Sequence, residues 1–147
     1  MNKILLALIA LSLLVVPVIA DQITVTADVA PYVSVVFSYN TVNFGTVQPG
    51  STYVPAPGQE KGIYNVTLTS NVDVSVIASR SPWLPDEGID LWFQNNVALV
   101  LLTKEPQLIG TLSSGSYTDY HSYWLTIPAL QRPGTYSTTV TITYQPA

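Results

Sequence analysis

The sequence predicts an all-β domain, and more narrowly a single immunoglobulin-like antiparallel β-sandwich. The chain is rich in Val, Thr, Tyr and Ile, which favour strands. Its 11 prolines and 8 glycines fall mostly between apolar runs, where turns belong. Apolar residues alternate with a period of two, and no helical period exceeds one turn. Because the cysteines of antibody domains are absent, the topology stays open and a jelly-roll-like variant is the alternative.

The composition also excludes several classes of protein. Only 10% of the 147 residues are charged and the formal net charge is -4, so an acidic, charge-poor surface argues against nucleic-acid binding. A hydrophobic content of 48% argues against disorder. The absence of cysteine excludes disulfides and zinc-thiolate sites, and the single histidine excludes a multi-histidine metal site. We therefore predict no cofactor.

The first twenty residues have the pattern of a secretory signal peptide. Lys3 supplies a basic start, residues 4–20 are uncharged and apolar apart from Ser12, and Val18-Ile19-Ala20 has the small-residue spacing of a cleavage site. The prediction is a signal peptide over residues 1–20 and a secreted mature chain without a membrane span. A retained membrane anchor is the alternative, although 17 residues are short for a spanning helix.

The mature chain then divides into strands and turns. Ser70-Asn71 and Pro133-Gly134 have the composition of turns. The continuous apolar run over 97–102 predicts a central strand buried on both faces. The remaining strands alternate apolar and polar residues, and they are predicted over residues 63–69, 71–79, 123–127 and 136–144.

One apolar face runs in phase from Ile23 to Phe37. A strand of this length would span roughly 50 Å, whereas a domain of this size is only about 35 Å across. The strand must therefore break near Pro31, which cannot donate a ladder hydrogen bond. Two outcomes stay open. The strand kinks and changes sheets within its own domain, or its first half leaves and completes the sheet of a neighbouring subunit.

Three segments carry a resemblance to a known family. They are residues 42–51 (VNFGTVQPGS), 63–76 (IYNVTLTSNVDVSV) and 133–143 (PGTYSTTVTIT). With the signal peptide and the N-terminal strand, they make the chain resemble the archaeal bundling pilins, and more distantly the camelysin-like fibre subunits of bacterial biofilm matrix.

The resemblance implies a structural subunit of an extracellular pilus that serves adhesion, bundling or biofilm formation. Its partners would be identical subunits, joined head to tail by donor-strand complementation and bundled laterally. The implied domains are a donor strand over 21–30 and a pilin domain over 31–147. The donor role falls on Ile23, Val25, Ala27 and Val29. The alternative function is a monomeric secreted surface domain or carbohydrate-binding module.

No catalytic site is convincing, and we predict that the chain is not an enzyme. Asp119 and His121 would share one face of a strand, with serines nearby at 113, 114, 116 and 122. A triad also needs a positioned nucleophile and an oxyanion hole, and no Gly-x-Ser-x-Gly elbow is present. A histidine at the edge of a loop is the simpler interpretation.

Three further features are candidates for binding or modification. Asp86, Glu87 and Asp90 are spaced closely enough to suggest a weak Ca²⁺ site, although a solvated turn is the favoured interpretation. Asn65-Val66-Thr67 is a glycosylation sequon. Trp83, Trp92 and Trp124 suggest either core packing or stacking on sugar rings, and the phase of its strand predicts Trp124 at a surface or interface.

Overall fold

The computed structural model describes residues 24–147. The predicted signal peptide over residues 1–20 and the predicted donor residue Ile23 lie outside the described residues. Within the described part, no helix is long and apolar enough to cross a membrane.

Residues 24–147 form ten strands and one turn of 3-10 helix over Gln59–Lys61. The strands are β1 (Val33–Phe37), β2 (Val54–Pro55), β3 (Asn65–Ser70), β4 (Val74–Arg80), β5 (Asp90–Gln94), β6 (Leu99–Leu101), β7 (Gln107–Leu112), β8 (Gly115–Tyr120), β9 (Ser122–Thr126) and β10 (Val140–Pro146).

The strands pair into three antiparallel sheets with the orders β1-β3-β8, β10-β4-β7 and β2-β9-β5-β6. The chain passes from the first sheet to the third through His121, which lies between β8 and β9. The predicted all-β sandwich is therefore confirmed.

One hydrophobic core joins the inner faces of the three sheets. Each sheet contributes fully buried side chains, among them Leu68 from β3, Val76 from β4 and Phe93 from β5. In β3 the buried positions alternate with exposed ones, as the sequence predicts. The same alternation holds in β9, where Tyr123 and Leu125 are buried.

The prediction of a central strand over 97–102 is wrong. β6 lies at the edge of the four-stranded sheet and pairs with β5 alone. Leu102 is buried, whereas Val97 and Leu99 are 44% and 49% exposed. The run is apolar on both faces although the domain buries only one of them, so its continuity does not distinguish an edge strand from a central one.

Candidate functional site

The N-terminal segment, residues 24–32, lies outside all three sheets, and β1 begins only at Val33. Val25 and Val29 are 85% and 82% exposed, and Ala27 is also exposed. The backbone thus leaves the sheet at Pro31-Tyr32, where the sequence predicts a break. The alternating apolar side chains of the N-terminal segment find no cover within the described residues.

Asn71 fixes the point at which this segment leaves the domain. Its side-chain oxygen accepts a hydrogen bond of 2.7 Å from the Tyr32 N–H, and its amide nitrogen donates to the Ala30 carbonyl at 2.9 Å. Val33 pairs with Ser70 across β1 and β3, so the segment departs beside the turn between β3 and β4. We call this end of the sandwich the Asn71 end.

A groove of about 1130 Å³ opens into the core. Buried apolar side chains from β5, β9 and the flanking loops line it; they are Trp83, Ile89, Leu91, Leu125 and Ile127. Residues 39–49 form one wall, and residues 131–142 form the other. The groove therefore exposes part of the hydrophobic core between two walls that also carry polar side chains, among them Asn43, Gln48 and Arg132.

The position of the groove follows from strand register. Val140 pairs with Arg80 at the start of β10, and Pro146 pairs with Val74 at its end. Because β4 begins beside the Asn71 turn, the Val140 end of β10 lies at the other end of the sandwich, which we call the Arg80 end. The lining residues 131–142 therefore place the groove toward the Arg80 end.

An open strand edge runs along the groove. β10 is an edge strand, hydrogen-bonded to β4 on one side only. Leu84 and Ser137 extend that pairing through an isolated bridge. The stretch from Thr135 to Ile142 lines the groove, and no described strand pairs with the second edge of β10, so backbone groups there are available to another strand.

The wall opposite β10 is a segment outside the strands that we call the strap, residues 40–49. Its side chains Val42, Phe44 and Val47 are half-buried against the core. The strap is held at its ends, by Tyr39 on one side and by the Gly50 N–H, which donates to the Ile127 carbonyl at 2.9 Å, on the other. Between residues 40 and 47 no backbone hydrogen bond to another element is present in the described part of the chain.

Next to the groove lies a buried polar cluster, the hub, which contains both residues of the candidate catalytic pair. Asp119 is 0% exposed and His121 is 1% exposed. His121 does lie in the link between β8 and β9, but it is buried there instead of facing solvent. The hub also contains Tyr39, Tyr123 and Tyr144, which come from three different parts of the chain.

The hydrogen bonds of the hub form one connected network around Asp119 and His121. Tyr123 donates to the Tyr39 oxygen at 2.6 Å, and Tyr39 donates to His121 Nδ1 at 2.5 Å. His121 Nε2 donates toward the Tyr144 oxygen at 2.9 Å and Asp119 Oδ2 at 3.3 Å. Tyr144 donates to Asp119 Oδ2 at 2.7 Å, and the Asn96 N–H donates to Asp119 Oδ1 at 2.9 Å.

These bonds explain how the protein tolerates a buried carboxylate. Burial acts to raise the pKa of Asp119, but hydrogen bonds from His121, Asn96 and Tyr144 outweigh it and hold this pKa below its usual value. Burial raises the pKa of Tyr39 to about 12 and also raises the pKa of Tyr144 and of Tyr123. None of the nearby serines hydrogen-bonds to His121 in the described residues, and the partners of this histidine are Tyr39, Tyr144 and Asp119.

The structure does not assemble the acidic loop into a metal site. Glu87 bonds to Arg80 at 3.2 Å and lies 3.8 Å from Lys104, so its carboxylate is paired with cations. Asp86 and Asp90 are exposed. Across residues 24–147, no group of three or more His, Asp or Glu side chains is placed to hold a metal ion.

The sequon asparagine lies at the start of β3, the middle strand of its sheet. Asn65 is half-buried, and its amide nitrogen donates to the Gly62 carbonyl at 2.8 Å. Thr67, the third residue of the sequon, is exposed on the same face. Attachment of a glycan would require this amide to give up its bond to Gly62.

The three tryptophans divide between the core and the surface. Trp83 is 7% exposed and lines the groove. Trp124 lies on the outer face of β9, opposite to the buried Tyr123 and Leu125, and pairs in register with Trp92 of β5. Both surface tryptophans are half-buried.

Sequence reasoning did not find the groove, the strap or the tyrosines of the hub. Tyr39 and Tyr144 are 82 and 23 residues from His121 along the chain. For Tyr123 and Tyr144, the available signal was a polar hydroxyl on an otherwise apolar strand face, whereas Tyr39 lies outside the strands.

Comparisons with known proteins do not identify a family. No protein-family model matches the chain, and no curated protein matches it.

Proposed function

We propose that this protein is the structural subunit of an extracellular fibre, in which each chain donates its N-terminal segment to the groove of the next. The observation that carries the proposal is the pairing of two incomplete features at opposite ends of one domain. An exposed, alternating apolar segment leaves at the Asn71 end, and a groove into the core opens toward the Arg80 end.

This placement favours an open polymer. If the segment of one copy occupies the groove of another, the contact joins two different surfaces of the chain. Such a heterologous contact propagates, and a filament forms when the rotation between copies does not close a ring. The distance between the two ends works against insertion of the segment into the groove of its own chain.

The donor fits within the length of the acceptor. The six residues 24–29, which lie beyond the contact with Asn71, span about 20 Å when extended, and the eight residues 135–142 that border the groove span about 26 Å. Val25, Ala27 and Val29 would face the core, while Thr24, Thr26 and Asp28 would face solvent. Burying an exposed valine side chain contributes about 1.5–3 kcal/mol, so Val25 and Val29 supply a substantial part of the contact.

Backbone pairing supports the same occupant. The free edge of β10 offers a ladder of hydrogen-bonding groups to an inserted strand, as in other cases of β-augmentation. The strap offers a second backbone without pairing of its own over residues 40–47 within the described chain. Secretion through the predicted signal peptide belongs to the same proposal, as does a role in adhesion, lateral bundling or biofilm. Part of the stability that disulfides give other exported domains would then come from the neighbouring copy.

The test compares three variants with the unaltered mature protein by sedimentation and negative-stain microscopy. Deletion of residues 21–30 and the substitution Val29→Asp should both abolish fibres, because each removes the apolar face of the donor segment. Thr26→Asp adds the same charge on the other face and should leave fibres intact. Normal fibres from the deletion variant, or equal loss from Val29→Asp and Thr26→Asp, would reject strand donation. A monomeric unaltered protein would favour the alternative of a monomeric secreted domain.

A further inference from the structure

The outer face of the sheet β2-β9-β5-β6 carries a row of large apolar side chains. Strand register places Pro55 opposite Trp124, Trp124 opposite Trp92, and Trp92 opposite Leu101. Residues directly opposite each other in antiparallel strands share a face of the sheet. The row crosses three spaces between neighbouring strands, each about 4.8 Å wide, so it is about 14 Å long. We call this row the aromatic stripe.

Tyr53 extends the aromatic stripe from the chain just before β2. Its ring centroid lies 5.3 Å from that of Trp92 with a tilt of 37°, and the residue is 54% exposed. Its N–H donates to the Thr126 hydroxyl at 3.2 Å. Tyr53 is the single non-glycine residue with a positive φ, at 49°, within the described chain. Backbone strain of this kind is concentrated at ligand sites, where it orients a side chain.

A polar row lies on each side of the aromatic stripe. Asp90 is opposite Thr126 on one side, and Gln94 is opposite Ser122 on the other. Each of these residues is two positions from a tryptophan along its strand, so its side chain projects from the same face. The face therefore has a central row of aromatic rings between two rows of hydrogen-bonding groups. The two polar rows contain no basic side chain.

We propose that this face binds a neutral polysaccharide. The rings of Trp92, Trp124 and Tyr53 stack against the C–H faces of pyranose units, and the polar rows hydrogen-bond to the hydroxyl groups at the ring edges. A pyranose needs both kinds of contact, since one surface of it is apolar and its rim is polar. Asp90 is the one charged group of the two rows, which disfavours anionic polysaccharides and nucleic acids.

The size of the face also favours a sugar chain over a protein. The aromatic stripe and its two polar rows cover about 200 Å², if strands are about 4.8 Å apart and alternate residues about 7 Å apart. A specific protein contact buries roughly 800 Å² on each partner. A narrow stripe longer than one sugar ring suits an extended oligosaccharide.

The sugar site does not depend on strand donation. In a fibre, however, the stripe would recur on every subunit, and weak binding to single sites would become strong binding of the whole fibre by multivalency. The same polysaccharide could then be held at many points along one fibre.

The test measures binding of cellohexaose and chitohexaose by calorimetry, and retention on insoluble cellulose and chitin. The unaltered protein should bind at least one of these neutral glycans. Trp92→Ala and Trp124→Ala should each weaken binding at least tenfold, and Trp124→Tyr should restore part of it because an aromatic ring returns. Leu130→Ala removes an exposed apolar side chain of the turn after β9 and should bind as the unaltered protein does. Equal melting temperatures would show that the variants remain folded.

Several results would overturn the proposal. They are absence of binding to all four glycans, binding that the tryptophan substitutions leave unchanged, and equal binding to the anionic polysaccharide alginate. If the unaltered protein self-associates in the absence of glycan and Trp92→Ala abolishes this association, the face is an interface between copies, and the sugar proposal fails. If the unaltered protein binds glycan but forms no fibres, only the fibre proposal is contradicted.

Discussion

The hub and the groove are neighbours in one domain, yet they differ in how completely a single chain satisfies them. In the hub, Asp119 and His121 are fully buried and each of their polar side-chain atoms has a partner. Along the groove, the strap side chains Val42, Phe44 and Val47 are only half-buried and the edge of β10 is free. The hub is therefore complete within one chain, whereas the groove leaves a strand edge and apolar side chains that the proposed donor segment would cover.

The largest change in the free energy of unfolding is expected when a phenylalanine beside the hub is substituted, in comparison with a phenylalanine on the strap. Phe93 is 0% exposed and its ring lies 4.9 Å from that of His121, whereas Phe44 lies half-buried on the strap. Phe93→Ala should lower the free energy of unfolding by about 3–5 kcal/mol, as for other buried phenylalanines. Phe44→Ala should cost about 1 kcal/mol in the monomer, since it removes less buried surface.

Urea denaturation of the monomeric deletion variant lacking residues 21–30 measures both values. Equal losses for the two substitutions would mean that the strap is as firmly packed as the hub, and the contrast between the regions would fail.

The second effect is the acid sensitivity of the hub. The pKa of Asp119 lies below its usual value in the folded protein, so its contribution to stability is present above the unfolded pKa of about 3.9. That contribution is lost as pH falls through the lower, folded pKa. Urea denaturation between pH 6 and pH 2 should therefore show stability falling steeply below about pH 4.

Asp119→Asn is the matched variant, because it keeps the shape of the side chain without a group that titrates. It should be less stable at pH 6 and should show a shallower acid decline. An unchanged acid decline in this variant would assign the sensitivity to other carboxyl groups.

The third effect is on the alkaline side. The folded pKa of Tyr39 is about 12, against 10.0 for the free side chain, so its neutral form is favoured by folding. The corresponding stability is fully present below pH 10 and is lost as pH rises toward 12, with an upper bound of about 3 kcal/mol. Absorbance of tyrosinate at 295 nm during denaturant titrations would follow it.

Tyr39→Phe should reduce this alkaline loss while leaving the acid decline in place. A full alkaline loss in the variant would assign the effect to Tyr123 and Tyr144, which also have raised pKa values.

The smallest effect is expected at Trp83, on the groove. The indole N–H is buried and has no hydrogen-bond partner among residues 24–147. Trp83→Phe removes this unsatisfied donor together with some apolar volume, and the two changes act in opposite directions. The free energy of unfolding should change by about 1 kcal/mol or less, in contrast to Phe93→Ala. A loss above about 3 kcal/mol would show that the indole is as tightly packed as the hub.

Much of the fold was predictable because its signals are local. Alternation identified β3, β9 and β10, and Pro31 marked the point at which the first strand breaks. The edge position of β6 was not predictable, since an apolar run has the same appearance whether one face or both are buried.

Among the candidate sites, too, the features with local signals were predictable and those that depend on distant parts of the chain were not. Trp124 was assigned to the outer face from its phase alone, and it lies there beside Trp92. The hub required Tyr39 and Tyr144 to meet His121 across long stretches of chain, which periodicity does not encode. The groove depends on which edges the three sheets leave open, and that is a property of the whole topology.

The central claim, that the groove of one copy accepts the N-terminal segment of another, is tested most directly by mixing two disabled chains. Deletion of residues 21–30 leaves a chain that can only accept, and Ile142→Asp on the groove wall of an otherwise intact chain leaves one that can only donate. Size-exclusion chromatography with light scattering would report the masses. The account predicts that each chain alone is monomeric and that the mixture forms a one-to-one dimer. Two monomers that stay separate in the mixture, with both variants folded, would contradict it.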